Sequence, residues 1–330
     1  MTEITPGIYW LRLPTTMPQF NVEEVNAYLV EGDSGYLLVD AGWNTDYTLD
    51  SLQKQLAEIG ITVGDISRIV ITHVHPDHYG LAGRLKQMSG ASLAFHEIEK
   101  GFIASRYVNM DALLEQTATW LGVNGVPPDE LAGIRDATLG LEQYIVPTQP
   151  DVALHGGEEI STGKFTFKVL WTPGHSRGHI CLYEPDKRVL ISGDHILPTI
   201  TPNIGKHPQS GENTLGNYLD SLKDIRKLDI GLVLPGHETP FDKLRPRLDE
   251  LIRHHQARNR EILAAVKAHP KTAYQIATEI TWRVTGNWQS MPPPHQRLAI
   301  SETLSHLELM TINGRVDMLS RDGVVYYQLK

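Results

Sequence analysis

The 330-residue chain contains a single cysteine, which excludes a disulfide framework and cysteine-rich zinc or iron–sulfur sites within it. No apolar run approaches the roughly 20 residues that a membrane-spanning helix needs. The first seven residues lack the basic and apolar regions of a signal peptide. We therefore expect a cytoplasmic protein with no membrane partner. The chain has fifteen histidines and one cysteine, so any metal is expected to be held by imidazole and carboxylate groups.

The charge is divided unevenly along the chain. Its net value is −9, of which residues 1–242 carry −14 and residues 243–330 carry +5. An acidic amino-terminal part favours cations or neutral substrates over polyanions. The basic tail keeps nucleic-acid binding open as an alternative, although a solvated surface is the more ordinary explanation.

Sequence patterning predicts two domains. Short apolar strands and amphipathic helices alternate at the start of the chain and return over residues 150–240, which predicts an α/β catalytic domain at 1–242. Residues 97–144 change to a helical pattern, so we expect a helical insertion over one face of the preceding sheet. Residues 243–330 predict three helices and a β-hairpin with an Asp-Gly turn, an order typical of a winged-helix domain.

Seven potential metal ligands lie directly after apolar strands. Four fall within six positions: His73, His75, Asp77 and His78. Three more each follow a glycine, which keeps the approach to an ion open: His175, Asp194 and His237. Seven such groups exceed the three or four that one catalytic zinc uses. We therefore expect two divalent ions that share Asp194, with zinc favoured over iron or manganese.

In this order the residues resemble the metallo-β-lactamase superfamily, whose motifs are Asp40 at a strand end, the H-x-H-x-D-H segment, His175, Asp194 and His237. The resemblance spans about residues 7–240 and implies an αββα sandwich with a two-metal site at the ends of its sheets. For the first ion it implies the ligands His73, His75 and His175. For the second it implies Asp77, His78 and His237, with Asp194 shared. Asp40 would orient a ligand histidine from outside the ligand set.

Departures from the family patterns narrow the expected activity. Asp194 stands where true zinc β-lactamases use Cys or Ser, which disfavours antibiotic hydrolysis. His75 stands where flavodiiron members have Glu, which disfavours oxygen reduction, whereas persulfide dioxygenases with one iron stay open. Residues 192–198 and the tail resemble glyoxalase II-like hydrolases that end in a winged helix. These include a mitochondrial single-stranded-RNA endoribonuclease and polyketide thioesterases, while glyoxalase II itself carries a different, glutathione-binding tail.

The charge of the expected site predicts the reaction. Two divalent ions make hydroxide from a bridging water at neutral pH, and that hydroxide attacks an electrophilic carbonyl or phosphorus. We expect a carboxylic ester or thioester as the small-molecule substrate. Asp77, beside the ions, is the candidate catalytic residue that steers the nucleophile or accepts its proton. Cys181 lies inside an apolar strand and is expected to be inert core.

Candidate substrate residues lie in loops beside the ligands. His195 and His207 are candidates for substrate contact, each with ordinary packing as its alternative. Arg177 is a candidate for an anionic substrate group, with surface packing as the stronger alternative. Some apolar side chains of the insertion are expected to cover the entrance of the metal site. Trp282, Trp288 and Met291 are expected to line the same entrance or to form a contact between two copies of the chain.

Two other functions stay open at this point. The basic tail motivates a metal-dependent phosphodiesterase or single-stranded-RNA endoribonuclease, for which salt-dependent RNA binding would be the signature. The chain lacks the interleaved aromatic and basic residues of a strand platform for RNA. A metal-bearing DNA-binding sensor is the third alternative, and seven filled ligand positions count against it.

Overall fold

The computed structural model describes residues 1–15, 24–136, 139–282 and 287–330. Its first sheet is mixed, and its strands are ordered as they follow along the chain. They are β1 (Thr2–Thr5), β2 (Ile8–Pro14), β3 (Glu24–Gly32), β4 (Gly35–Val39), β5 (Ile66–Val70), β6 (Ser92–His96) and β7 (Val152–Leu154). Neighbours from β1 to β4 are antiparallel, and those from β4 to β7 are parallel. The carboxyl ends of β4, β5 and β6 therefore reach one edge of the sheet.

A second sheet covers one face of the first. Its strands are β8 (Glu159–Ser161), β9 (Thr166–Trp171), β10 (Ile180–Glu184), β11 (Val189–Gly193) and β12 (Leu232–Pro235), in the spatial order β12-β11-β10-β9-β8. All neighbours are antiparallel except β11 and β12, which are parallel. The parallel pair again delivers two carboxyl ends to one edge, so that the loops after β11 and β12 are adjacent.

Helices flank the two sheets and extend into the tail. They are α1 (Asp46–Ala57), α2 (Pro76–Tyr79), α3 (Ala82–Ser89), α4 (Glu97–Lys100), α5 (Ile103–Tyr107), α6 (Asp111–Val123), α7 (Pro128–Arg135), α8 (Thr214–Ile225), α9 (Leu244–Ala265), α10 (Ala273–Glu279) and α11 (Pro293–Ile312). Among the described residues, no helix combines the length and the apolar character needed to cross a membrane.

The layers follow from residue alternation along the strands. In β4, Leu37 and Val39 point into the core between the two sheets, whereas Leu38 points to the opposite face, where α1 and α3 pack. On the far side of the second sheet, Leu190 belongs to a core that α8 and α9 share, with Leu222 and Leu248 among its members. The resulting succession of helices, two sheets and helices is the α/β arrangement that the sequence predicts.

The tail contains the predicted hairpin. Strands β13 (Val316–Arg321) and β14 (Val324–Leu329) pair antiparallel across a two-residue turn. Asp322 and Gly323 both have positive φ, 51° and 78°, as a type I′ hairpin turn requires. A bridge between Lys271 and Tyr327 adds the segment before α10 to β14. The three helices α9, α10 and α11 thus share one unit with the hairpin.

The predicted insertion differs from its expected position. Its first part meets the preceding sheet, where Ile103 of α5 enters the core beneath β5 and β6, and its last residue, Tyr144, packs against Trp43. Helices α6 and α7 instead share a core with the tail, in which Leu121 and Ile134 pack with Ile276 and Leu304. The apolar stripe of the insertion is a buried face, but the surface that covers it lies some 150 residues further along the chain.

The aromatic residues of the tail also differ from expectation. Trp288 and Met291 are buried inside the core that the tail shares with α6 and α7. Trp282 packs beneath the Arg258 guanidinium, whose Cζ lies 4.1 Å from the ring centre. The prediction that Trp288 and Met291 line the entrance of the metal site is therefore wrong, because both side chains pack inside this core.

Candidate metal centre

The predicted ligands converge because their loops leave strand ends that meet at one edge of the sandwich. Asp40 directly follows β4, and His73 and His75 lie in the loop after β5. Asp194 directly follows β11, and His237 comes two residues after β12. Parallel strands end at the same edge, so each sheet brings its own pair of loops together there.

Three histidines form the first cluster. The His75 Nδ1 atom lies 2.9 Å from His73 Nε2 and 3.0 Å from His175 Nε2. Burial, reinforced by the neighbouring imidazoles, holds the pKa of His73 and of His75 well below the ordinary value. The rings are therefore neutral, and neutral imidazole is the form that binds a metal ion.

Four of the five candidate ligand histidines are held from behind by a specific acceptor. In these four the Nδ1–H donates to an oxygen, so that the Nε2 atom faces the centre of the site. The acceptors are Thr72 Oγ1 for His73 (3.1 Å), the Asn203 carbonyl for His175 (3.0 Å), the Glu24 carbonyl for His237 (3.1 Å) and Asp40 Oδ2 for His78 (2.8 Å). The histidine tautomers are thus fixed by the protein fold.

Asp77, His78 and His237 form the second cluster. Asp77 Oδ2 lies 3.3 Å from His237 Nε2 and 3.7 Å from His78 Nε2. Asp194 lies between the clusters, with Oδ1 3.4 Å from His78 Nε2 and Oδ2 3.4 Å from His237 Nε2. Oδ2 also lies 3.6 Å from His175 Nε2 in the first cluster. The Asp194 carboxylate therefore faces both groups of histidines.

The electrostatics of the second cluster favour a bound cation. Burial alone would raise the pKa of Asp194, but the adjacent His237 and His78 hold it well below its ordinary value. Burial alone would lower the pKa of His237, but Asp194 and Asp77 raise it to about 10. The protons on these histidines balance the buried carboxylates. A divalent cation can supply the same charge and release those protons.

Unsatisfied buried atoms test whether the residues fit a metal. His78 Nε2 and Asp194 Oδ1 are buried and have no hydrogen-bond partner. Buried polar atoms are normally paired, and both of these point to the centre of the site. Three ligand groups have atoms within 4.8 Å of one another, namely His73/His75/His175, His73/His78/Asp194 and Asp77/His78/His237. The donor set is histidine and carboxylate, which suits zinc, iron or manganese.

Asp40, at the end of β4, binds two residues of the segment after β5. It adopts φ 61°, a conformation that costs a non-glycine residue about 1–3 kcal/mol. Its carboxylate accepts from the Thr72 backbone N–H (2.8 Å) and hydroxyl (2.9 Å) as well as from His78 Nδ1 (2.8 Å). These three bonds offset the backbone strain and orient His78, as the family resemblance implies.

A sequence profile of the metallo-beta-lactamase superfamily matches residues 21–237, a segment that contains every one of the predicted ligands. The chain belongs to the metallo-beta-lactamase superfamily. It is therefore an enzyme of a metallo-hydrolase superfamily whose members use divalent metal ions, and its His/Asp clusters fit such a site.

Relatives within the superfamily match nearly the whole chain. The chain is 26% identical to a probable metallo-hydrolase, YqjP, of Bacillus subtilis over 98% of both sequences. Its structure matches a metallo-beta-lactamase family protein of Thermus thermophilus with a TM-score of 0.82 at 30% identity, covering 99% of this chain and 100% of the other. A beta-lactamase domain protein of Burkholderia ambifaria matches with a TM-score of 0.78 at 27% identity, over 100% and 94% of the two chains. The similarity thus includes the tail.

Glu99 is a site residue that sequence reasoning missed. It is fully buried in α4, and its carboxylate accepts from Val74 N–H (3.1 Å) and Gly178 N–H (2.8 Å). Val74 lies between the ligands of the first loop, and Gly178 lies three residues after His175. Glu99 thus joins the two loops that supply the first cluster. The available signal was its position after β6, which is parallel to β5.

His179 supports Asp194, the predicted shared ligand, in a similar way. Its Nε2 accepts from the Asp194 backbone N–H (3.1 Å), and its Nδ1–H donates to Thr172 Oγ1 (2.9 Å). The ring is fully buried, and burial holds its pKa well below the ordinary value, so it stays neutral and able to accept. His179 therefore fixes the backbone of Asp194 at the end of β11.

The three candidate substrate residues lie in different surroundings. His195 is fully buried and its Nε2 lies 3.1 Å from Ser221 Oγ of α8, on the opposite side of the chain from the Asp194 carboxylate. His207 is half-buried in a turn where its Nδ1 accepts from Gln209 N–H (3.2 Å). Arg177 is exposed, and its guanidinium lies beside Gly211. A substrate role stays a prediction for all three.

Proposed function

We propose that the protein is a hydrolase of carboxylic esters or thioesters that uses two divalent metal ions, with zinc favoured. The observation that carries the proposal is the pair of side-chain clusters on either side of Asp194, with His78 Nε2 and Asp194 Oδ1 buried and without a hydrogen bond. His73, His75 and His175 would hold one ion. Asp77, His78 and His237 would hold the other, with Asp194 contributing to both.

When bound, the two ions would lower the pKa of a water molecule enough to supply hydroxide and would polarise the oxygen of the scissile group. The chain's own residues position this chemistry. Asp77 keeps 21% of its side-chain surface exposed, so its carboxylate can meet an incoming molecule as well as its neighbours. We assign to Asp77 Oδ2 the orientation of the attacking water and the acceptance of its proton.

The tail supports the site directly. The Asn203 carbonyl that holds the His175 ring belongs to a loop whose Asn203 amide donates to the Leu298 carbonyl of α11 at 3.3 Å. Ser305 of α11 also donates to the Ile204 carbonyl at 2.5 Å. We propose that residues 243–330 form a winged-helix-like domain whose third helix supports the catalytic loops. The division at residue 242 is part of this proposal.

Burial of α11 argues against the alternative of a DNA-binding sensor. In a winged helix that reads DNA, the third helix enters the major groove and its outer face must be exposed. Residues 299–307 of α11 are buried without interruption, between the catalytic loops and the core of the tail. A metal-dependent phosphodiesterase or RNA endoribonuclease is the second candidate, and the surplus positive charge of the tail favours it. A cytoplasmic location and a homodimer stay predictions.

A substrate panel on metal-defined protein tests the proposal. The panel contains p-nitrophenyl acetate, an acyl thioester, a lactone, bis-p-nitrophenyl phosphate and single-stranded RNA. We expect zinc-dependent hydrolysis of the ester and thioester, abolished by His73→Ala and Asp194→Ala. The matched control is His269→Ala, which changes an exposed histidine of the tail. Cleavage of RNA without thioester turnover would overturn the proposed substrate class.

A further inference from the structure

A groove lies along α9, between this helix and the segment 198–201. We call it the α9 groove, and its volume is about 810 Å³, which is sufficient for a small-molecule ligand. Its lining includes four arginines of α9, namely Arg247, Arg253, Arg258 and Arg260. Two of these side chains are buried and paired within the chain, whereas the other two are exposed.

Arg247 fixes the wall of the α9 groove to the helix. Its Nε donates to the Leu197 carbonyl at 2.7 Å, and its Nη2 donates to the Ile200 carbonyl at 2.6 Å. Its Nη1 pairs with Glu250 at 3.1 Å. The charge of Arg247 is thus balanced within the chain, and the segment 198–201 is held in one position beside α9.

Arg258 is held in a similar way at the other end of the groove. Its Nη1 donates to the Thr281 carbonyl and to Glu261, each at 2.6 Å, and its Cζ lies 4.1 Å from the centre of the Trp282 ring. Its Nε lies 3.5 Å from Glu302 Oε1. Two carboxylates therefore balance this guanidinium, and the groove is shaped before any ligand arrives.

Arg253 and Arg260 have no such partners. Both are exposed, and within the part of the chain that the structure describes no carboxylate oxygen lies within 4.0 Å of either guanidinium. They are seven residues apart, which is two helical turns and about 10 Å along the axis of α9. The lining contains four arginines and two glutamates, so its net charge is +2. The groove is therefore complementary to an anion.

The chemistry of the lining favours a phosphate group. A guanidinium donates several hydrogen bonds in one plane and matches phosphate oxygens, and the Thr201 and Thr281 hydroxyls in the same lining can add further donors. Among the described residues, no Phe, Tyr or Trp lines the groove. Single-stranded nucleic acids are held largely by stacking on aromatic rings. The lining is thus better suited to a small phosphorylated molecule than to RNA.

We propose that the α9 groove binds a small molecule that carries one or more phosphate groups, held by Arg253 and Arg260. This binding does not depend on the proposed hydrolysis. The groove is nevertheless connected to the candidate metal centre, because the Thr199 N–H donates to Glu238 at 2.9 Å and Glu238 directly follows His237. The phosphate belongs either to the substrate or to a separate effector, and these two sources can be distinguished.

Calorimetry on the zinc-loaded full-length chain tests the binding. The probes are fructose 1,6-bisphosphate, fructose 6-phosphate and fructose, which differ only in their phosphate groups. We expect the affinity to rise roughly tenfold with each phosphate, as charge-assisted hydrogen bonds provide. Arg253→Met and Arg260→Met should each weaken binding of the bisphosphate roughly tenfold. The matched control is Arg245→Met, which removes an exposed arginine of the same helix outside the groove and should leave the affinity unchanged.

Two results would overturn the proposal. One is an affinity for the bisphosphate that is the same in the wild type, Arg253→Met and Arg260→Met, because such binding occurs elsewhere, for example at the zinc ions. The other is binding of a single-stranded RNA oligonucleotide that both substitutions abolish, without binding of either sugar phosphate. That result would assign the groove to a nucleic acid.

A matched pair of thioesters distinguishes the two sources of the phosphate. Acetyl-pantetheine and acetyl-4′-phosphopantetheine differ by one phosphate. If the phosphate belongs to the substrate, the phosphorylated thioester should have a kcat/KM roughly tenfold higher, and Arg253→Met should remove that ratio. If it belongs to an effector, the two kcat/KM values should be equal and the bisphosphate should change both. Absence of turnover with both thioesters and with p-nitrophenyl acetate overturns the proposed function instead, and the calorimetry still decides the groove.

Discussion

Replacing Glu99 with glutamine should loosen the first histidine cluster. The Glu99 carboxylate accepts two backbone N–H groups, from Val74 at 3.1 Å and Gly178 at 2.8 Å, in a fully buried position. Glutamine keeps one accepting oxygen but turns its NH₂ group toward the other donor, so one buried N–H loses its partner. Hydrogen bonds to a charged acceptor contribute about 1.5–3 kcal/mol each. We therefore expect Glu99→Gln to lower the free energy of unfolding by about 2–3 kcal/mol.

The decisive measurement is metal affinity. The two loops that Glu99 joins carry His73, His75 and His175, and loss of a residue that orients ligands costs about 10- to 100-fold in affinity. We expect that loss for the first ion bound at this cluster, measured by competition with a chromophoric chelator, and a smaller change for the second. Glu97→Gln is the matched control, since Glu97 lies on the same helix with a side chain 44% exposed. If Glu99→Gln reduces stability and leaves both affinities at the wild-type values, the positioning role is refuted.

Two further predictions concern Asp40, beside the candidate metal centre, and His255, a buried histidine of α9. Asp40→Asn should lower the affinity for the ion at the second cluster about 10- to 100-fold, because the ring of His78 loses its charged acceptor at 2.8 Å. Competition with a chelator measures this affinity, and an unchanged value would contradict the prediction. Burial lowers the pKa of His255 to about 4, and its Nδ1 lies 3.3 Å from His306 Nε2. Below pH 6.5 the unfolded chain therefore binds a proton that folded His255 does not, so stability falls as the pH falls from about 6.5 to about 4. His255 should lower the free energy of unfolding by about 2 kcal/mol between pH 7 and pH 5, as measured by urea unfolding. The loss of stability between these two pH values should be smaller in His255→Gln.

The convergence of the candidate ligands at one site could be predicted from sequence because each lies after a strand. Short apolar strands are visible in the sequence, and the loops that leave the carboxyl ends of parallel strands are neighbours in space. The H-x-H-x-D-H segment, with His175, Asp194 and His237, therefore indicates one centre. Asp40, which directly follows β4, is a residue that the family resemblance implies.

The supports of the site could not be predicted in this way. Glu99 contacts Gly178 across 79 positions of the sequence, and nothing in a helical pattern shows which backbone groups a carboxylate will meet. Besides the position of Glu99 after β6, a second sign is the glycine at 178, where a Cβ atom would lie 2.7 Å from Glu99 Cγ. A burial pattern shows that a face is covered without showing what covers it. For that reason the packing of α6 and α7 against the tail, and of α11 against the catalytic loops, emerged only from the structure.

The number of metal ions per chain tests the central claim most directly. Protein prepared without chelators is analysed by elemental mass spectrometry, and ester hydrolysis is measured on the same sample before and after metal removal. The account predicts close to two zinc, iron or manganese ions per chain, and activity that is lost with the ions and restored by zinc. One ion per fully active chain, or a metal-free sample that hydrolyses the ester at the original rate, would contradict it.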